Sequence, residues 1–529
     1  MGRELLYLRQ NVVVEPLYDS WYAWSHLVSP ATAAMNVYGR HLKIIDSYIM
    51  APEIHAAAAK NPKMLGGPFM DYPDNKREAI SQLKTNILGN FSHLVQFAKD
   101  IHALADMLEH EADGTSFDEF YARMPESLKG FVELTYDISH HPSFRFFEAL
   151  LYKSKYYRPD AQSIRLSLIH SDDRPFVLST PRLKEENTVS LHIPFSHRGI
   201  DRLSAMKRVK DDYREIMEQL GVLPEDEKIF RSFFTAEPAD NHVKFDEKGV
   251  RVRYFGHACI LVETRGISIL SDPVISYGYD TVISRLTYKD LPEMIDYVLI
   301  THNHQDHILL ETMLQIRHKV KTIIVPKGGS GTLPDPSLKL MFKAIGFDNV
   351  LELDEMDELQ VGDFLITGLP FLGEHCDLDI RTKLCYHLKT PDVSMIFAAD
   401  TCNVSPEVYR YVQAIIGYID ILFLGMECDG APLTWLYGPY ITGKLTKEID
   451  MTRRLAGSNY QRGMTLVDIF RPKNVFVYAM GQEPWLNHIM AIKYTEESNP
   501  IIASNQLLKK CQSMGIESER FFAERNLMY

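Results

Sequence analysis

The sequence predicts an α/β protein in two parts, a mixed α+β domain over residues 1–240 and a layered α/β domain over 246–529. Three observations carry that reading. Apolar residues in the first half recur at helical spacing, the texture changes near residue 240, and short β-branched runs then alternate with helical segments. A chain of 529 residues can build two large cores, and 45% hydrophobic with 24% charged residues excludes a disordered or fibrous protein.

In the first half, Ile80, Leu83, Ile87, Leu94, Phe97, Ile101, Leu104 and Leu108 fall three or four apart and stop before Asp113-Gly114. The spacing predicts one long amphipathic helix that buries its apolar stripe in the core. Strands are expected at Val12–Val14 and Ser163–Ile169, and a second helix over Arg202–Leu220, ended by Gly221. Thr235-Ala-Glu-Pro-Ala-Asp-Asn241 carries turn formers without periodicity and marks the boundary near 240. Beyond it, strands are expected at 250–255, 260–262, 267–270, 297–300, 322–325, 364–367, 395–398, 421–424 and 475–478, with helices at 309–318 and 406–416.

There are 57 Lys and Arg against 70 Asp and Glu, a net charge of −13, which argues against broad sequence-independent binding of nucleic acid. Val12, Val13 and Val14 are stopped by Glu15-Pro16, so no signal-peptide apolar stretch forms there. No apolar run approaches the ~20 residues of a membrane span, and a cytoplasmic protein is expected. The six cysteines form no CxxC pair and no disulfide framework.

The chemistry is concentrated in Ile300-Thr-His-Asn-His-Gln-Asp-His307, which follows an apolar strand. His302 and His304, two apart, point to one side of an extended loop and can grip one ion. Asp306 and His307, at the start of the next helix, can face a second ion beside it. Imidazoles with carboxylates suit zinc or non-haem iron. Later strand ends must supply the rest. Asp400 has two oxygens and can bridge two metals. Asp272, in Ser-Asp-Pro, sits where a buried acid would hold the histidine loop by hydrogen bonds. His488, the only histidine after His387, is the natural late ligand. Between them, Leu369-Pro-Phe-Leu-Gly-Glu-His-Cys-Asp377 offers both Glu374 and His375. Extended backbone sends neighbours to opposite sides, so only one reaches the metal. His375 would complete a dizinc hydrolase; Glu374 would give two histidines and a carboxylate with open positions, the ligand logic of oxygen-activating iron. The residues alone leave both open.

Residues 246–500 resemble the metallo-β-lactamase superfamily, an αββα sandwich with the HxHxDH order, a later third ligand, a bridging Asp and a final His. His257, in Tyr-Phe-Gly-His-Ala-Cys, looks like that superfamily's first-strand Gly-His pattern, where the histidine is more often structural than a ligand. The whole chain is similar to the diiron β-hydroxylases of nonribosomal peptide and antibiotic biosynthesis. The matching segments are Gln10-Asn-Val-Val-Val-Glu-Pro-Leu-Tyr-Asp-Ser-Trp-Tyr-Ala-Trp24, Thr301–His307, Gly373-Glu374-His375, Ala399-Asp400-Thr401 and Tyr478-Ala-Met-Gly-Gln-Glu-Pro-Trp485. This resemblance implies that Glu374 replaces the usual histidine and binds the first iron with His302 and His304. It further implies that Asp306, His307 and His488 serve the second iron, that Asp400 bridges, and that Glu374 and Asp400 are catalytic.

The same resemblance implies O2 as co-substrate, an external electron donor, and an amino acid tethered as a thioester to an acidic carrier protein. A homodimer through the N-terminal domain, which would also serve substrate access, is implied in the same way. No flavin or pyridine-nucleotide motif occurs, and Gly-Gly-Ser-Gly at 328–331 lacks the helix a phosphate loop needs, so a separate reductase is expected. Two basic clusters qualify as docking faces for the carrier, Lys207, Arg208, Lys210 and Arg214, and Arg453, Arg454 and Arg462. The alternatives are a dinuclear zinc hydrolase of an ester, thioester, lactone or phosphodiester, and a non-catalytic binding module that keeps its metal as a clip.

Overall fold

The computed structural model describes residues 4–239, 244–245 and 247–529. The domain limits expected at 240 and 246 lie outside the described residues. Two seven-stranded sheets dominate the second half. The first runs in the order 350–353, 320–326, 295–299, 267–271, 259–264, 251–256, 525–528; the second runs 358–361, 364–369, 385–389, 394–397, 421–425, 474–478, 517–520. Val262, Ile269, Leu299 and Ile324 of the first sheet meet Ile366, Tyr386, Phe397 and Phe423 of the second in one apolar core. Helices Pro406–Ile416, Tyr460–Phe470 and Asn499–Ser513 cover the outer face of the second sheet through Tyr409, Val467 and Leu507. The layers are those of an αββα sandwich.

The outer face of the first sheet is finished differently. Helix Leu310–Ile316 lies there fully buried, and its core continues without a break into Trp21, Trp24, Leu94 and Phe97 of the N-terminal part. That part holds a four-stranded antiparallel sheet in the order 21–22, 12–18, 162–168, 189–191, with helices packed around it. Gly331 sits in the seam, its carbonyl accepting from the Phe146 amide at 2.7 Å. The glycine-rich 328–331 stretch therefore seats one domain on the other.

A charge knot fastens the same seam. Glu15 accepts from Arg165 (3.2 Å), Arg174 (2.9 Å) and Arg182 (3.0 Å). Arg174 also reaches Glu311 at 2.8 Å on the buried helix, and Glu311 accepts from the Tyr277 hydroxyl at 2.6 Å. Burial alone would raise the Glu15 carboxyl; Arg182, Arg174 and Arg165 overcome it and hold the group down at about 2.

Two helical expectations are corrected. The long 80–108 pattern forms two helices, Arg77–Asn90 and Ser92–Glu111, broken at Phe91 (φ −120°, ψ 19°). Gly89 weakens the helix just before the break, and Phe91 turns its ring into the core. The 202–220 pattern likewise divides into Gly199–Ala205 and Tyr213–Gln219, because Asp212 accepts from the amides of Arg214 and Glu215 and starts a new helix. Between them Lys207 is buried, donating to Val12 O (3.2 Å) and Gln315 Oε1 (2.8 Å). It bolts the core and is unavailable to a partner.

Candidate dinuclear metal site

Strand direction explains why the site residues meet. Strands 251–256, 267–271 and 295–299 run the same way in the first sheet, as do 364–369, 394–397 and 421–425 in the second. Their C-terminal ends therefore open on one edge of the sandwich, and the residues that leave those ends are His257, Asp272, His302–His307, Glu374, Asp400 and Glu427. Several exits turn through the left-handed region: His257 (φ 51°), Asp272 (34°), Glu374 (65°) and Ala399 (45°). Non-glycine residues rarely sit there, and such strain gathers at functional sites. Two tyrosines brace the exits, Tyr386 donating to Ile300 O (2.9 Å) and Tyr478 accepting from Ala399 N (3.0 Å).

Three buried groups bring metal-ligating atoms within 4.8 Å of one another: His302, His304 and Glu374; His302, His307 and Asp400; and His257, Asp306 and His307. In the first, His304 Nδ1 stands 3.0 Å from Glu374 Oε1 and 3.1 Å from His302 Nε2. In the third, Asp306 Oδ2 lies 3.0 Å from His257 Nε2 and 3.7 Å from His307 Nε2. Asp400 stands between, 3.2 Å from His307 Nε2 and grouped with His302, placed to span two ions. Asp272 binds the loop rather than the site: it accepts from Thr301 N (2.8 Å), Thr301 Oγ1 (2.6 Å) and His307 Nδ1 (2.8 Å). That contact leaves His307 Nε2 free to coordinate.

Electrostatically the cluster is incomplete. Burial and the neighbouring imidazoles push His302 well below its ordinary range. His307 is desolvated too, but Asp400, Asp272 and Asp306 raise it well above. Burial lifts the Glu374 carboxyl to about 7 against the pull of His304. Glu374 Oε2, Asp400 Oδ1 and His257 Nδ1 are buried without a hydrogen-bond partner. Buried polar atoms are seldom left so, and cations between these ligands would satisfy the two carboxylate oxygens. Imidazoles together with carboxylates fit non-haem iron.

The neighbours Glu374 and His375 do not alternate as extended backbone would require. Gly373, Glu374, Cys376 and Asp377 all have positive φ, and this coiled turn carries the Glu374 carboxylate into the first group. Gly373 is needed where it is, since a Cβ there would meet Cys402 Cβ at 2.6 Å. His375 lies behind the carboxylate, outside the three groups: its Nε2 is 3.3 Å from Glu374 Oε2 and its Nδ1 2.8 Å from the Tyr437 hydroxyl, which also lies 3.1 Å from His304 Nε2.

His488 is a correction. The structure does not bring it to the cluster. After strand 474–478 the chain turns at Ala479 (φ 53°) and Gly481, and the 484–486 turn delivers His488 to the N-terminal domain, edge-on to Tyr22. Burial and the charges of Arg174 and Arg182 push it well below the usual histidine range. His257, which the first-strand Gly-His resemblance reads as more often structural than a ligand, instead joins Asp306 and His307 in the third group.

The comparisons with known proteins agree across the chain. Residues 7–238 match the diiron non-heme beta-hydroxylase N-terminal domain, and residues 251–448 a beta-lactamase superfamily domain. A curated relative from Streptomyces venezuelae, 4-amino-L-phenylalanyl-[CmlP-peptidyl-carrier-protein] 3-hydroxylase, is 36% identical over 98% of this chain and 99% of its own. The chain belongs to the diiron β-hydroxylase family. The crystal structure of CmlA, a diiron beta-hydroxylase from the same organism, superposes with a TM-score of 0.93, covering 100% of both chains at 36% identity. A single-substitution variant of CmlA gives 0.90 at 35% identity, covering 99% of this chain and 100% of its own. As a member of this family the protein is a monooxygenase that uses two irons and O2.

A cavity of about 250 Å³ reaches the cluster at His304, Asp306, Glu374 and Asp400, walled by Leu65, Trp435, Leu455, Met490 and Ile492. Trp435 closes one side by donating to Gly66 O at 3.0 Å, so N-terminal residues shape the way in. The second basic cluster flanks this cavity. Arg453 donates to Cys376 O (2.7 Å) and Arg454 to Asp429 O (2.7 Å), each half-buried beside its lining residues, while Arg462 meets Cys402 Sγ at 2.7 Å.

Proposed function

We propose that His302, His304 and Glu374 hold one iron and His257, Asp306 and His307 the other, bridged by Asp400, in an enzyme that hydroxylates the β-carbon of an amino acid tethered as a thioester to a nonribosomal peptide synthetase carrier. One observation carries the residue assignment: Glu374, and not His375, completes the group with His302 and His304. The irons supply O2 activation when bound. The chain supplies the rest. Glu374 and Asp400 add hard anionic oxygens that offset cationic charge; Asp272 fixes the ring of His307, and Tyr437 that of His304. The apolar walls keep water from the β-carbon and accept a bulky or aromatic side chain.

The carrier is the partner best supported, because the Streptomyces relative is a hydroxylase of an aminoacyl peptidyl-carrier-protein. Arg453 and Arg454 beside the cavity favour this face for an acidic carrier over the cluster that contains buried Lys207. A reductase, a homodimer and a cytoplasmic location belong to the same proposal; among the described residues no helix is long and apolar enough to cross a membrane. The test is direct. Purified protein should contain iron rather than zinc, and with reductant and O2 it should add one oxygen atom to an aminoacyl carrier, read by mass. Zinc as the native metal with thioester hydrolysis would return the site to the hydrolase reading.

A further inference from the structure

Glu427 leaves the exit of strand Ile421–Gly425 and lines the same cavity as Glu374 and Asp400, yet it belongs to none of the three metal groups. Its Oε2 accepts from the Gly430 amide and its Oε1 from the Tyr494 hydroxyl at 3.3 Å. No Lys or Arg pairs with it among the described residues, although the environment is desolvated enough to lift the carboxyl to about 7. Other polar side chains on the cavity wall are His304, Asp306, Glu374 and Asp400, all members of the metal groups, and Gln305. Glu427 is thus a carboxyl without a cation, facing the space where substrate must lie.

An amino acid held as a thioester has spent its carboxyl group on the tether. Its α-amine is the one ionisable group that every such substrate keeps, whatever its side chain. An ammonium in a water-poor cavity needs an anionic acceptor, and a carboxylate already oriented by two donors provides one at little ordering cost. Trp435 and Leu455 line the same cavity, so the amine of the substrate would meet the carboxylate while its side chain meets apolar surface.

We propose that Glu427 binds the α-ammonium of the tethered aminoacyl group and sets the enzyme's preference for aminoacyl over plain acyl thioesters. This rests on the carrier-hydroxylase reading above. The test compares a carrier loaded with an arylalanine against the same carrier loaded with its des-amino 3-arylpropionyl analogue, in the parent and in Glu427→Gln, which retains an acceptor for Gly430.

In the parent, kcat/KM should favour the aminoacyl carrier by about 10- to 100-fold, the worth of one charge-assisted hydrogen bond. Glu427→Gln should lower only the aminoacyl value and bring the ratio near one, with iron content unchanged. Tyr494→Phe, which keeps the carboxylate, should retain the preference. If Glu427→Gln does not fold, the ratio is read on Glu427→Asp, whose shorter reach must reduce it. Equal losses on both substrates, or a parent that does not discriminate, would overturn the role of Glu427 and leave the hydroxylase standing. Failure of the parent to hydroxylate either carrier would remove both.

Discussion

The knot around Glu15 and the cluster around His307 are both buried, both rich in charge, and both built across elements distant in sequence. They differ in completeness. Each Glu15 oxygen meets a guanidinium, and Arg174 is shared onward to Glu311, so the carboxylates of the knot find their cations within the chain and the one buried atom it leaves over among the described residues is a donor, Arg165 Nε. At the cluster, imidazoles crowd one another, with the His302 and His307 rings 4.0 Å apart, and Glu374 and Asp400 keep oxygens without partners. On the proposed assignment, the unpartnered carboxylate oxygens at the cluster are those that two irons would meet.

Substitutions should separate the two regions. Glu374→Ala has the largest expected effect, abolishing hydroxylation and lowering iron by one per chain, whereas His375→Ala keeps both irons; metal analysis beside the carrier assay reads both. The reverse ranking would break the distinction drawn at this turn. Glu15→Ala should cost about 3–5 kcal/mol of stability in urea unfolding, because it strands buried guanidinium groups. The folded fraction of that variant should still bind iron.

The pH dependence follows from the same residue. Because the Glu15 carboxyl is held at about 2 against an ordinary 4.5, its contribution is complete above pH 4.5 and is lost as pH falls from there toward 2. Unfolding of the parent and of Glu15→Gln across pH 7 to 3 should therefore converge on acidification. Asp272→Asn should weaken iron binding by about 10- to 100-fold while the fold persists, measured by competition with a chelator. Smallest is Tyr437→Phe, worth about 1 kcal/mol for the lost hydrogen bonds, expected as a modest rise in iron dissociation rate.

Much of this was legible in the chain. Each strand expected after residue 250 is present, and helix Pro406–Ile416 has its expected limits. Short β-branched runs between turn residues announce themselves because burial on both faces demands them. The HxHxDH loop, Asp272 and Asp400 follow strands whose ends are readable, so their convergence could be anticipated. What failed did so where the backbone leaves its ordinary basins. Alternation along an extended chain misdescribes Glu374 and His375 because the turn is left-handed at 373, 374, 376 and 377. Position in sequence points to His488, whereas the route after Ala479 is set by Trp485 and Glu483. Trp485 packs beside Gly256, and Glu483 accepts from the Tyr254 hydroxyl at 2.5 Å. Those are long-range contacts that no local pattern encodes. Phe91 broke a helix for the same reason, since an interior site for its ring outweighed one more turn.

The unbroken apolar core between helix Leu310–Ile316 and the first hundred residues bears on engineering. Grafting the front half of one relative onto the back half of another, to redirect which carrier is served, would expose greasy surface on both pieces. A workable chimera must transplant the matching face of that helix as well, so the heritable module here is the entire polypeptide.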